Sequence, residues 1–312
     1  MKSSARILSS DSARTASPLV PLMRPAWLSA TEWPFATGAL EVDGSTLAVT
    51  DVGTGPALLF VHTGLWSFVW RDVIGRLSPD FRCVAFDAPG TGRSERLPRT
   101  EITLERAARA VTAVIEALDL QDLTLVFHDL GGPAAIAGAS KVAERIRGLA
   151  AVNTFAWRPS GAMFSTMLAL MGSAPMREFD AMTGLLAQVA GSSFGVGRHL
   201  DARSRAAFRA GIGRDGLRTF HQYMHDARRA DSIYRQTGAA LAGPFKSLPL
   251  ITIFGERNDP LGFQPRWKQL YPELRQIVVP KGNHFPMCDA PDLVADSIRE
   301  WHRERVDSAA RG

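Results

Sequence analysis

The sequence predicts an α/β fold, a mostly parallel sheet with helices on both faces and a helical segment inserted between two of its strands. Three observations lead there. Continuous apolar runs alternate with stretches whose apolar residues recur at helical spacing. Each apolar run ends in glycine or polar residues, as strands of an open parallel sheet do at the edge where ligands bind. The alternation lapses after Phe155 and resumes near residue 246.

Along the chain, "GALEVDG" and "STLAVTDVGTG" predict a hairpin turning at Asp43-Gly44. "ALLFVHTG" is apolar throughout and predicts a strand buried on both faces. Trp66, Trp70, Val73 and Leu77 then fall at helical spacing. "FRCVAFDAPG" is the next strand, and Leu104, Val111, Ile115 and Leu118 line a helix beginning near Thr103. "LTLVFHD" predicts a strand whose following helix runs from Gly131 into "KVAERI", and "GLAAVNT" another strand. Residues 156–245 hold helical pieces and no strand signal. "LPLITIFG" and "LRQIVVP" restore the sheet, and a last helix carries Val294, Ile298 and Trp301, with Pro291 in its first turn.

The domain reading follows. Residues 26–155 and 246–312 form the core, and residues 156–245 a helical cap over the strand ends. Residues 1–25 are a disordered extension, Ser-rich, with Arg6, Arg14 and Arg24 against Asp11 and no apolar signal core.

With 312 residues, 46% hydrophobic and 21% charged, the chain has ample material for a core. No apolar run approaches the roughly 18 residues of a membrane span. Net charge is +5, and the 36 basic residues are mostly arginine and scattered, without a basic block, which argues against nucleic acid. Cys83 and Cys288 form no CxxC pair and read as free thiols of a reducing, cytoplasmic compartment.

The polar residues at the predicted strand ends are His62, Thr63 and Gly64; Asp87; His128 and Asp129; Asn258 and Asp259; and His284. Asp129, Asp259 and His284 stand in the chain order nucleophile, acid, base. Here the sequence resembles a family. "DAPGTGRS", "FHDLGG", "FGERNDP" and "GNHFP", in that order and each at a strand end, resemble the motifs of the α/β hydrolases over residues 38–305. "FHDLGG" resembles the nucleophile turn of their aspartate branch, the haloalkane dehalogenases and epoxide hydrolases. The resemblance implies a cofactor-free, metal-free hydrolase of small apolar organic substrates, a monomer or weak homodimer. It implies a catalytic triad of Asp129, Asp259 and His284, with Leu130, Gly64 and Thr63 around the oxyanion or leaving group.

An aspartate in place of the usual serine has a chemical meaning. Serine attacking a saturated carbon would form an ether that water does not readily cleave. A carboxylate forms an ester, which histidine-activated water can open at the carbonyl. The reacting atom is therefore expected to be an sp3 carbon bearing a halide or an epoxide oxygen.

Two departures qualify the resemblance. Dehalogenases hold the departing halide with a tryptophan after the nucleophile and often an asparagine after the first strand-end histidine. Here those positions are Leu130 and Gly64, so Trp66 or Trp70 would have to substitute. Epoxide hydrolases use cap tyrosines, for which Tyr223 and Tyr234 are the candidates; with Trp66 they are the expected pocket residues. A non-catalytic binding protein of the same fold is the third alternative. His62 is expected to shape its loop, and the Met163, Met167, Met171 stripe to pack in the core, with lining of an adaptable apolar pocket as the alternative.

Overall fold

The computed structural model describes residues 17–158, 160–259 and 261–306. Nine strands form one sheet in the order β1-β2-β3-β5-β4-β6-β7-β8-β9. They are β1 (Val20–Pro21), β2 (Gly38–Val42), β3 (Ser45–Val52), β4 (Ala57–His62), β5 (Arg82–Phe86), β6 (Leu123–Asp129), β7 (Ile146–Thr154), β8 (Leu250–Gly255) and β9 (Arg275–Val279). Strands β1, β2 and β3 are antiparallel; from β5 through β9 the sheet is parallel. The β2–β3 turn has positive φ at both Asp43 and Gly44, which the right-handed twist of a two-residue hairpin requires.

The alternation along the buried strands builds two cores. Leu59 and Val61 of β4, with Leu125 and Phe127 of β6, face one side. Leu58, Phe60 and Val126 face the other. The first face is covered by α2 (Leu104–Ala117) and α3 (Gly131–Ala139), the second by α1 (Arg71–Leu77) and, near the C-terminus, the helix Pro291–Trp301. Helix α2 starts where expected, because the Thr103 hydroxyl accepts the Arg106 amide at 3.1 Å. Helix α3 stops earlier than expected. It passes at Ser140 into a 3-10 turn, within which Val142 leaves helical geometry.

Between β7 and β8 lie α4 (Ala162–Met171), α5 (Ala174–Thr183), α6 (Leu185–Ala190), α7 (Ala202–Ala227) and α8 (Asp231–Ala242). Helix α7 is kinked at Gly213, whose φ of 58° only glycine adopts readily. After β8 comes α9 (Phe263–Leu270), and after β9 come α10 (Pro286–Asp289) and α11 (Pro291–Trp301).

One expectation needs correction here. Of the predicted disordered extension, residues 1–16 lie outside the described residues, but residues 17–25 are ordered. Val20 and Pro21 pair with Ala39 and Gly38, and the Arg24 guanidinium donates to the Ser29 carbonyl at 3.1 Å. No described helix is long and apolar enough to cross a membrane.

Candidate active site

Strand β6 ends in Asp129, whose φ is +51°. A non-glycine residue held there is strained and pushed out of line, so its carboxylate stands at the turn rather than in the sheet. Two glycines permit the turn. A Cβ at Gly131 would sit 2.7 Å from the Val61 carbonyl oxygen, and one at Gly132 only 2.2 Å from Thr154 Oγ1. That hydroxyl donates to the Asp129 carbonyl at 2.7 Å and ties the turn to β7.

Asp87, at the end of β5, has a different task. One carboxylate oxygen accepts from the Ser67 amide at 2.9 Å and its hydroxyl at 2.5 Å, and the other accepts from the Arg93 amide at 2.8 Å. The "DAPGTGRS" motif thus pins the segment after β4 and takes no part in the cavity.

His284 follows β9 and brings its Nε2 to 3.6 Å from Asp129 Oδ2. Its backbone is fixed from below, since its carbonyl accepts from His128 Nε2 at 2.8 Å and from Asn153 Nδ2 at 2.9 Å. Burial pushes the Asp129 carboxyl upward. The His284 imidazole facing it across 3.6 Å outweighs that and brings it down to about 2. The carboxylate is therefore ionised at neutral pH.

The histidines beneath form a defined chain. His128 donates from Nε2 to a carbonyl, so its Nδ1 carries a lone pair, which accepts from His62 Nδ1 at 3.1 Å. That leaves His62 Nε2 as a buried lone pair with no partner among the described residues. Burial, against the nearby negative charge of Asp129, holds the His62 imidazole down to about 4, and His128 well below its usual range. Both rings are neutral, which is how three imidazoles can crowd one carboxylate.

The expected acid, Asp259, is not beside His284. Its carboxylate accepts the Phe263 and Gln264 amides at 2.6 and 3.0 Å and so caps the start of α9. Asn258, one residue earlier, takes the place beside the histidine, its Nδ2 lying 3.2 Å from His284 Nδ1. Asp259 is spent on a helix because its loop leads directly into one, and the strand-end position goes to an amide.

A cavity of about 420 Å³ opens over Asp129, lined by Leu130, Leu65, Asn258 and His284 from the sheet side. The segment between β7 and β8 supplies Phe164, Met167, Met171, Val189, Phe194 and Phe220. Leu130 lines the cavity next to Asp129. Gly64 lies directly under Phe220, and Thr63 is buried with its hydroxyl unpartnered. The methionine stripe divides, with Met163 exposed, Met167 and Met171 lining the cavity, and Met171 also packed against the core.

The other expected pocket residues are corrected. Trp66 is buried away from the cavity and donates its indole N–H to the Phe208 carbonyl at 3.0 Å. Tyr223 donates to the Pro89 carbonyl at 2.9 Å and Tyr234 to the Ala227 carbonyl at 2.8 Å. Trp70 packs edge-on against His128, beneath the site. None of the four presents a donor to the cavity. Phe164, Phe194, Phe220 and Met224 were missed. Phe220 and Met224 stand one helical turn apart, a spacing that marks a shared face without saying that it faces a cavity. No cluster of His, Cys, Asp and Glu among the described residues is placed to hold a metal ion.

A parallel sheet with a strained acid at the β6–α3 turn and a histidine after β9 defines the α/β-hydrolase fold. Comparison with known proteins agrees. Residues 56–196 match a sequence family described as alpha/beta hydrolase fold. Haloalkane dehalogenase 2 of Mycobacterium tuberculosis is 28% identical over 276 residues, covering 86% of this chain and 95% of that protein. A cis-3-alkyl-4-alkyloxetan-2-one decarboxylase of Shewanella oneidensis is 24% identical, covering 87% and 89%. Among solved structures, haloalkane dehalogenase DbeA from Bradyrhizobium elkani aligns with a TM-score of 0.72 at 20% identity, covering 88% of this chain and 99% of that one. Epoxide hydrolase CorEH aligns at 0.71 and 17% identity, covering 86% and 98%. The chain is an α/β-hydrolase-fold enzyme, a hydrolase similar to the haloalkane dehalogenases.

Proposed function

We propose that the protein acts on small apolar molecules through a covalent ester on Asp129. The observation that carries this reading is an ionised carboxylate at a strained strand-to-helix turn, facing a histidine across the floor of an apolar cavity. A carboxylate so placed attacks an sp3 carbon, expels the leaving group and becomes an alkyl ester. His284 then activates water for attack on the ester carbonyl, with the backbone amides of Leu130 and of the 63–65 loop holding the oxyanion. Similarity to haloalkane dehalogenases makes a haloalkane the first substrate to try.

The epoxide reading loses its support, because both cap tyrosines are committed to backbone carbonyls. A second substrate is favoured by two other observations. Among the described residues, the cavity offers no indole or phenol donor to a departing halide, and His284 Nδ1 faces an amide where a base would be best served by a carboxylate. A 3,4-dialkyl oxetan-2-one needs neither. Attack of Asp129 on the ring carbon bearing oxygen would expel a carboxylate that stays tethered to the substrate. Loss of CO2 from that carboxylate would then form an alkene and return the Asp129 carboxylate, with no water consumed.

The test is a panel of 1-haloalkanes, epoxides and cis-3,4-dialkyl oxetan-2-ones, read for halide, diol, and alkene with CO2. It is run on the wild type and on His284→Gln. A haloalkane substrate should leave the variant carrying an alkyl adduct within "TLVFHDLGGPAA", visible by intact mass and peptide mapping. An oxetanone substrate should be turned over by both proteins. A haloalkane or epoxide that the wild type turns over and that leaves no adduct on the variant would sink the ester mechanism.

A further inference from the structure

The helical segment over the site carries two features that catalysis leaves unexplained. The first is apolar and exposed. Met163, Met167 and Leu170 of α4, Met182 near the end of α5, Leu185 and Val189 of α6, and Phe194 are all exposed. Phe194 and Met182 show 79% and 75% of their surface to solvent. Three of these residues, Met167, Val189 and Phe194, also line the cavity, so the patch is its rim. A soluble surface rarely groups large apolar side chains this way without a partner.

The second feature is charge. Residues 156–245 contain eleven arginines and six carboxylates, a net +5, which equals the net charge of the whole chain. The remainder of the molecule is balanced. Beside the patch, a cleft between α5, α6 and α7 is lined by Met182, Thr183, Gln188, Arg209 and Arg214. Both arginines are exposed, and no described carboxylate stands within ion-pair distance of either. The neighbouring acids are engaged elsewhere, Asp215 and Glu178 on Arg218 and Asp180 on His221. The kink at Gly213 lies in the wall of this cleft, between the two arginines.

We infer that this face docks on the surface of an anionic phospholipid bilayer, with Arg209 and Arg214 on the headgroup phosphates and the α5–α6 side chains in the acyl boundary. Exposed apolar residues beside unpaired cations are the composition of an interfacial binding face. A bilayer is favoured over a second copy of this chain because the face is cationic, so two copies meeting through it would set arginines against arginines. Such docking brings the cavity rim to the phase in which an apolar substrate dissolves.

The full chain is sedimented with vesicles of phosphatidylglycerol mixed equally with phosphatidylcholine, and with vesicles of phosphatidylcholine alone. It should bind the mixed vesicles, bind the neutral ones far less, and release at about 0.5 M salt, where screening cuts the reach of a charge to a few ångströms. Each arginine at such a surface contributes about fivefold to binding. Arg209→Gln with Arg214→Gln should therefore weaken it about twenty-five-fold. Met182→Ser with Leu185→Ser, outside the cavity, should also weaken it. Both double variants should keep the wild-type helical circular dichroism and activity on a dissolved substrate. Equal binding to the two vesicle types, or binding untouched by both double variants, overturns the proposal. So does a wild-type dimer in sedimentation velocity that Met182→Ser with Leu185→Ser dissolves, since the face would then join two copies.

Discussion

At the scale of single residues, the positions of Asp129 and His284 at the strand ends were legible. Asp129 and His284 could be placed because each ends an apolar run, and strand ends are where a parallel sheet exposes side chains. The acid could not be placed. Asn258 and Asp259 are neighbours in a loop, and periodicity carries no information about which of two adjacent loop residues turns inward. Asp259→Ala is expected to remove two capping bonds from α9 and cost about 1–2 kcal/mol in urea unfolding, with kcat within about twofold of wild type. A loss of a hundredfold in kcat with little change in stability would return Asp259 to the triad. Asn258→Asp is the complementary change. A carboxylate there would accept the Nδ1 proton and leave the Nε2 lone pair free as a base, so breakdown of a haloalkane-derived ester should quicken at least about tenfold. Oxetanone turnover should not respond. Single-turnover kinetics on the two substrates distinguishes these outcomes.

Elements explain why the site could be found at all and why its lining could not. The turn from β6 to α3 is written in "HDLGG", since only glycine can stand against the Val61 carbonyl and Thr154. Gly132→Ala would place its Cβ on the Thr154 hydroxyl and the Phe155 carbonyl, of which the second is backbone and cannot step aside. A cost of about 3 kcal/mol is expected in chemical denaturation, with a larger loss of activity from the displaced Asp129 carboxylate. A variant as stable as wild type would mean that α3 can slide outward. The five helices between β7 and β8 are another matter. Their apolar faces read as core because a face packed on a neighbour and a face lining a cavity have the same composition. Tyr223 and Tyr234 were drawn to the cavity by analogy, whereas each hydroxyl is satisfied by a backbone carbonyl within the packing.

Across the whole molecule, the sheet, its order of elements and the inserted helices follow from the alternation of buried strands and amphipathic helices, because both cores depend on it. The ordered Val20–Pro21 edge was not foreseeable, since two residues carry no period. Acid should unsettle the fold through its buried imidazoles. His62 is held down to about 4 in the folded protein and returns to about 6.5 when unfolded. The unfolded chain therefore takes up an extra proton between those values. Stability is intact above pH 6.5 and falls as pH drops through the window, by about 3 kcal/mol at its foot from this group alone. His62→Gln should flatten that fall in urea melts recorded from pH 7 to pH 4, and an unchanged slope would assign the loss elsewhere. The concentration of all net charge in one segment has a further effect, on motion rather than on contact. A neutral body bearing a cationic lid is an electric dipole. Near any negative surface it experiences a torque over about a Debye length, ~10 Å at 0.1 M salt. The molecule turns its entrance toward that surface while still in flight, so the first touch is made by the face that holds the opening to Asp129.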